Sequence, residues 1–176
     1  NITSIGENAF NGCLNLRSIV IPESVTFIGE FAFRNCENLQ SVAMMNGVID
    51  ISFGMFAGCG NLQSIIIPDG VTSIGEQAFY GCSSLTKITF ENNKRLTYVG
   101  KDAFDLCNSL EELHLSNVSA WWKTFFENSV ANPMFQIVNL YSNGSPITEI
   151  RVPDEVNNIG MAFAGCSSLT EISFHG

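Results

Sequence analysis

The six cysteines and two histidines of this chain are the first residues to weigh for metal ligation, disulfides or nucleophilic chemistry. Cys13, Cys36, Cys59 and Cys82 are each 23 residues apart, Cys107 follows after 25 and Cys166 after 59. Three disulfides would be one use of them. The even spacing argues against it. Equivalent positions point their side chains the same way, a poor torsion for an S–S bond even where the Cα separation fits. They read as free thiols acting as small core hydrophobes. There is no C-x-x-C pair and histidine is scarce, so zinc is not expected. His114 would need a serine or cysteine beside it for acyl transfer, and Ser116 and Ser173 read as surface hydroxyls. No acidic cluster has calcium-loop spacing. Glycoside hydrolysis needs paired carboxylates in a groove; Glu149 and Glu171 fall on one face of adjacent repeats, without a cleft. No catalytic residue, metal or cofactor is expected.

Binding chemistry has better candidates. Trp121 and Trp122 read first as packing of their segment against a sheet edge; an exposed ring would instead make a stacking platform for sugar or protein. Asn1-Ile2-Thr3, Asn117-Val118-Ser119 and Asn143-Gly144-Ser145 fit the glycosylation sequon, whose meaning depends on the source. A third candidate is a column of strand residues, which needs the repeat to be seen.

Each cysteine follows a phenylalanine by three residues: Phe10, Phe33, Phe56, Phe79, Phe104 and Phe163. A period near 23 means one supersecondary unit stacked on copies of itself, hence a solenoid. Within a unit, Leu16 to Ile21 ends in period-two alternation, a short strand. Pro22 stops it, as Pro68 and Pro153 stop theirs. A second extended piece, Val25 to Ile28, precedes Gly29. Then Ala32, Phe33 and Cys36 have the i, i+1, i+4 spacing of a helical turn or two. Ser4 with Glu7, and Ser73 with Glu76, have capping-box spacing at its start. Ile5, Ile28, Ile51, Ile74, Val99 and Ile159 fill one core column.

The expected fold is therefore a β-rich α/β solenoid, a right-handed superhelix of about seven coils. Each coil of ~23 residues gives one parallel strand, with short helical turns on the other side. Repeats cover residues 1–116 and 147–176. Residues 117–146 form an insert with a short helix over 120–126, on whose face Trp122, Phe125 and Phe126 lie together. Asn132-Pro133 ends that helix. A strand at Ile137–Tyr141 and a hairpin at Asn143-Gly144, the preferred type I′ pair, follow. The last unit is one residue short between Gly160 and Phe163, so a local distortion is expected there. The outward strand column is Val20, Ala43, Ile66, Thr89, His114, Arg151 and Ser173. It runs from apolar to charged and is flanked by Ser18, Ser41, Ser64, Lys87, Glu112, Glu149 and Glu171. An apolar stripe rimmed by serine could dock a protein; equally, valine and isoleucine simply favour strands.

Of 176 residues, 45% are hydrophobic and 14% charged, with a net charge of −9. So few charges is unusual, and the Ser/Thr/Asn-rich surface suits an extracellular setting. An acidic chain without a Lys/Arg cluster argues against nucleic acid and anionic membranes as partners. No apolar run approaches the ~18–20 residues of a membrane span, and no leader is visible. The chain opens at mid-repeat on Asn1-Ile2-Thr3-Ser4-Ile5-Gly6 and closes after a strand on Phe174-His175-Gly176. It is expected to be one solenoid over 1–176, a monomer, and a piece of a longer protein.

The unit S-I-G-x-x-A-F-x-x-C-x-x-L-x-S-I-x-I-P-x-x-V resembles the BspA-type leucine-rich repeat. The likeness covers residues 1–116 and 147–176. It extends to the interruption, with Ala131-Asn132-Pro133 and Leu140-Tyr141-Ser142-Asn143-Gly144. Met44-Met45-Asn46, Ile49-Asp50-Ile51-Ser52 and Met55 depart from it and put the regularity of units two and three in question. The resemblance implies a secreted or surface-anchored protein, some relatives being adhesins for host matrix proteins or other microbes. It carries over no catalytic residues. By analogy with leucine-rich solenoids the face bearing the strands is the expected protein-binding surface; a structural spacer presenting another domain and a carbohydrate-binding module are the alternatives.

Overall fold

The structure is a computed structural model that describes residues 2–136 and 139–174. Asn1 of the first sequon, Ile137–Val138 of the expected insert strand, and His175 lie outside the described residues. The chain winds as a β-solenoid of about seven coils with little helix. Its strands are β1 (Ser4–Ile5), β2 (Ser18–Ile21), β3 (Phe27–Ile28), β4 (Ser41–Met44), β5 (Asp50–Ile51), β6 (Ser64–Ile67), β7 (Ser73–Ile74) and β8 (Lys87–Phe90). Then come β9 (Tyr98–Val99), β10 (Glu112–Leu115), the single-turn helix α1 (Val118–Trp121), β11 (Phe125–Phe126), β12 (Asn139–Ser142), β13 (Ser145–Ile147), β14 (Glu149–Arg151) and β15 (Glu171–Ser173). Each regular coil gives a four-residue strand to a first sheet and a two-residue strand to a second. Pro22 and Pro68 follow directly on β2 and β6, as expected.

The arc carrying Phe and Cys is not helical, which corrects the expected helical turns. Within one coil Ala9 N donates to Gly6 O (3.3 Å), Asn11 N to Asn8 O (3.1 Å) and Cys13 N to Phe10 O (3.1 Å). The N–H groups between them leave the coil: Asn8 N donates to Glu30 O (3.0 Å), Phe10 N to Ala32 O (2.7 Å) and Gly12 N to Arg34 O (2.8 Å). The cause is the backbone. Asn8, Phe31, Gly54, Gln77 and Asp102 are left-handed, and so are Gly12, Asn35, Gly58, Gly81 and Leu106. Each such residue breaks the helical run, and the N–H groups of Asn8, Phe31, Gly54 and Gln77, like that of Gly12, are themselves directed to the neighbouring coil. Ser4 and Ser73 accordingly cap nothing; they lie in β1 and β7. The Gly of S-I-G serves close approach: a Cβ on Gly100 would sit 2.5 Å from Glu76 N one coil back.

Register is strict within the ladders, with Ser18↔Ser41 and Ile19↔Val42 between β2 and β4, and Ile65↔Ile88 and Ile67↔Phe90 between β6 and β8. The expected irregularity falls where the sequence departs from consensus. The first sheet breaks between β4 and β6 and the second between β3 and β5. The turn ladder runs on across this seam, through Phe31 N to Phe53 O (3.0 Å) and Phe33 N to Met55 O (2.9 Å).

The interior is a stack of rings and sulfurs. Phe10, Phe33, Phe56, Phe79 and Phe104 are face to face at 5.2–5.5 Å. All six cysteines are free. The thiols of Cys36, Cys59, Cys82 and Cys107 each donate to the carbonyl of the phenylalanine 26 or 28 residues earlier, at 3.1–3.3 Å. Only these four are buried; Cys13 is exposed and Cys166 partly so, since they belong to end coils. Burial pushes the Cys59 and Cys107 thiols up to about 12, and Cys82 well above its ordinary value.

These raised values make stability depend on alkaline pH. Below about 9 the thiol is protonated in both states and its contribution is complete. Between 9 and about 12 the unfolded chain ionises first, so stability falls as pH rises. Each buried thiol should remove about 1 kcal/mol by pH 10. Urea midpoints at pH 8 and pH 10 check this, with Cys82→Ala expected to fall less steeply than the parent; equal slopes would refute it. Native labelling with a thiol reagent should reach Cys13 and spare the four buried sulfurs.

The insert departs most from expectation. Of the helix expected over 120–126 only its first residues are α-helical, in the single turn Val118–Trp121, with short 3-10 turns at Ser129–Ala131 and Pro133–Phe135. Phe125 and Phe126 are a strand rather than a helical face. They pair in parallel with Tyr98 and Val99, so Phe126 is buried and Phe125 exposed. Phe126 thereby takes the core place beside Val99 expected of Ile159, which is 37% exposed. Asn132 caps the turn Pro133–Phe135 through an acceptor bond from Met134 N at 3.0 Å. β12 adds a rung to the first sheet, Leu113↔Leu140. The Asn143-Gly144 turn, with φ of 49° and 80°, reverses into antiparallel β13 as its type I′ reading requires. β14 and β15 form a separate two-stranded sheet.

Candidate binding face

The outward positions of the first sheet come from alternation. In β2, β4 and β6 the second and fourth residues are buried or partly buried, and the first and third face out. Val20 is paired with Ala43, Ile66 with Thr89, and Thr89 with His114. Thus Val20, Ala43, Ile66, Thr89 and His114 share one outward column, crossed by the seam between Ala43 and Ile66. Val20 (64%) and Ile66 (49%) are open to solvent.

Arg151 does not follow His114. Tyr141 of β12 does, directly in register; Arg151 pairs with Ser173 in the separate sheet. The displacement has a simple origin: the insert supplies a rung of its own. Tyr141 is the residue that sequence reasoning missed. The signal was present, since Leu140-Tyr141-Ser142 repeats the in-out pattern of Leu113-His114-Leu115. Its ring lies flat on His114, with centroids 4.4 Å apart and planes 4° from parallel.

Around that pair the face is polar and ordered. His114 Nε2 is 2.9 Å from Glu112 Oε2, and Lys87 Nζ is 3.4 Å from the same oxygen. The hydrogen bond from His114, with the Lys87 ammonium behind it, holds the Glu112 carboxyl below its usual range. The Lys87–Glu112 pair is solvent-exposed and contributes little stability. Beside it Thr89, Glu91, His114 and Ser116 border a shallow depression of about 200 Å³, closed by the hairpin tip at Asn143-Gly144. The face therefore grades from apolar at β2–β6 to charged and aromatic at β8–β12. Glu149 and Glu171 are register partners on an exposed two-strand surface, as expected of them.

The tryptophans are interior. Trp121 is fully buried, edge-on to Phe90 and tilted against Phe126 at 5.4 and 5.1 Å. Its Nε1 donates to Ala162 O at 2.8 Å. Trp122 is 7% exposed and packs on Phe163 at 4.5 Å. Neither ring offers an open face, so the platform reading of Trp121 and Trp122 is corrected to packing: they fill the space between the insert and the last coil. The sequon residue Asn117 is likewise occupied, its side chain accepting from Ala120 N at 2.8 Å to cap α1. No helix among the described residues is long and apolar enough to cross a membrane.

Comparison with known proteins bears on this architecture. The sequence profile of the BspA type leucine rich repeat region matches residues 3–132 and 138–176, in six copies. A leucine rich cell surface protein from Faecalibacterium prausnitzii A2-165 is 35% identical, over 69% of this chain and 32% of its own, with a TM-score of 0.66. A leucine-rich repeat protein from Bacteroides ovatus ATCC 8483 is 25% identical over 99% and 52%, with a TM-score of 0.58. The leucine rich repeat protein of T. pallidum is 22% identical over 98% and 63%, with a TM-score of 0.61, a likeness of fold. The chain thus spans 32% to 63% of the length of these three proteins. No curated protein matches it. The recurring Phe and Cys columns were already the mark of one repeat type, and a profile matched along nearly the whole sequence says which: this chain belongs to the BspA-type leucine-rich repeat family.

Proposed function

We propose that the chain is a non-enzymatic recognition module of a cell-surface or secreted protein, binding a protein partner as a monomer. The contact surface is the outward face of the first sheet: Val20, Ala43, Ile66, Thr89 and His114, extended by Tyr141, with Arg151 beyond it. One observation carries the reading. An outward apolar stripe, crossed by the seam between Ala43 and Ile66, leads from Ile66 in paired register through Thr89 to the Lys87–Glu112–His114–Tyr141 cluster, the union of apolar anchor and polar groups that interfaces use. Membership of a repeat family with a cell-surface relative supports the location. The rival is a spacer that merely holds another domain away from its attachment, and an extended stack needs no partner to serve so.

Surface plasmon resonance of the chain against purified extracellular-matrix proteins tests this. At least one should bind, and Ile66→Asp combined with Arg151→Glu should weaken it tenfold or more. Both side chains are exposed, so melting temperature should stay within a degree or two. Silence against every matrix protein, or undiminished binding by the double variant, would remove the strand face and leave the spacer.

A further inference from the structure

The second sheet stops at β11, and the coil that should extend it does not. Its counterpart segment, Asn158–Ile159, forms no strand and stands across a cleft of about 300 Å³ from Trp122–Phe126. The missing residue explains the gap. In interior coils the left-handed residue lies two places before the core phenylalanine, as Gln77 does before Phe79; in the last coil it is Gly160, three places before Phe163. The shortened arc draws Asn158–Ile159 out of ladder distance.

The cleft has a flat aromatic wall. Phe125 is 61% exposed. Tyr98, one coil back, covers one face of its ring, with centroids 6.2 Å apart and planes 14° from parallel. Phe125 also lines the cleft on the side of the last coil, so its other face looks into it. Polar groups of both kinds border that wall. Asn158 Oδ1 accepts from Gly160 N at 3.0 Å, which directs its amide N–H donors elsewhere. Thr124 Oγ1 donates to Leu96 O at 3.2 Å and keeps an acceptor lone pair. Lys123 is exposed and supplies a further donor.

We infer that this cleft binds a neutral oligosaccharide, with a pyranose ring laid on Phe125 and its equatorial hydroxyls on Lys123, Thr124 and Asn158. A pyranose offers an apolar face of C–H bonds edged by groups that both donate and accept, and this wall is its complement. The volume is at the small end of ligand cavities, room for a short oligosaccharide. The chain's net charge of −9 opposes sulfated or uronic glycans. The site is separate from the strand face, and its ligand class is different.

Trp122 lines the same cleft, so its emission reports occupancy. The probes are four neutral tetrasaccharides: β-1,4-linked glucose, β-1,3-linked glucose, β-1,4-linked mannose and β-1,4-linked N-acetylglucosamine. At least one should show saturation transfer by NMR and shift the tryptophan emission, with millimolar affinity. Phe125→Ala should weaken it tenfold or more, Phe125→Tyr should retain it, and Ile66→Asp should leave it unchanged. Because Phe125 is exposed, the variant should fold, and circular dichroism checks that it does. Asn158→Ala, outside any strand, gives a second loss independent of the ring. Four silent sugars, full binding by Phe125→Ala, or a loss caused by Ile66→Asp would each overturn the inference. Matrix-protein binding lost in Phe125→Ala with the sugars silent would reassign the cleft to protein.

Discussion

Phe79→Ala should lower the free energy of unfolding by about 3–5 kcal/mol. Phe79 is fully buried between Phe56 and Phe104, with rings 5.5 and 5.2 Å away. The cavity left by its loss has little means to close. Its backbone is held from one side by Phe79 N to Ala103 O at 2.8 Å and from the other by Phe56 N to Ala78 O at 2.8 Å. Neighbouring coils would have to break that ladder to collapse inward. Two interfaces are damaged by one truncation, because each coil is stabilised chiefly by its neighbours. Phe10→Ala is the control. Among the described residues Phe10 stacks only on Phe33, and it is partly exposed, so its loss should cost less than half as much. Urea titration followed by circular dichroism checks both; equal losses would mean that the rings do not act through paired interfaces.

The second large effect is local. Trp121→Ala should also cost about 3–5 kcal/mol, but mostly from the last coil. Trp121 is the joint between the insert and residues after 147: its ring meets Phe90 and Phe126, and its indole N–H donates to Ala162 O. Asn132, fully buried, donates to Met161 O and Ala162 O at 2.5 and 3.2 Å and is the other half of the clasp. With the ring gone, amides at 161–173 should exchange much faster while those of β6, β8 and β10 keep their protection. Uniform loss of protection along the chain would show instead that the coils unfold as one unit. Trp121→Phe, which keeps most of the volume and loses the hydrogen bond, should fall between the parent and alanine.

Much of this architecture is legible because repetition forces chemistry into register. Phe33, Phe56 and Phe79 recur at one interval, so whatever one of them does the others do, and burial follows. The conformation between them is less legible. Ala32, Phe33 and Cys36 satisfy a helical spacing and a turn ladder equally, since both put the three on one side. What decides is positive φ at Asn8, Phe31, Gly54, Gln77 and Asp102; Asn, Asp and Gly are types that tolerate it, whereas Phe31 and Gln77 do not announce it. The outward strand column was readable up to His114 and lost after it. The strand expected at Ile137–Tyr141 was read as part of an interruption, yet β12 occupies a rung of the first sheet. Trp121 and Trp122 were ambiguous for the opposite reason: aromatic type tells size and planarity, and only the neighbouring coil decides which rings stay covered.

The sulfur column has a consequence for how such a chain can change length. A core stapled by cystines must alter its cysteines two at a time, and each alteration risks mispairing. Here every interior thiol is satisfied by one main-chain oxygen of the preceding turn. Odd and even tallies are equally serviceable, and a duplication or deletion of a single module leaves no orphan behind.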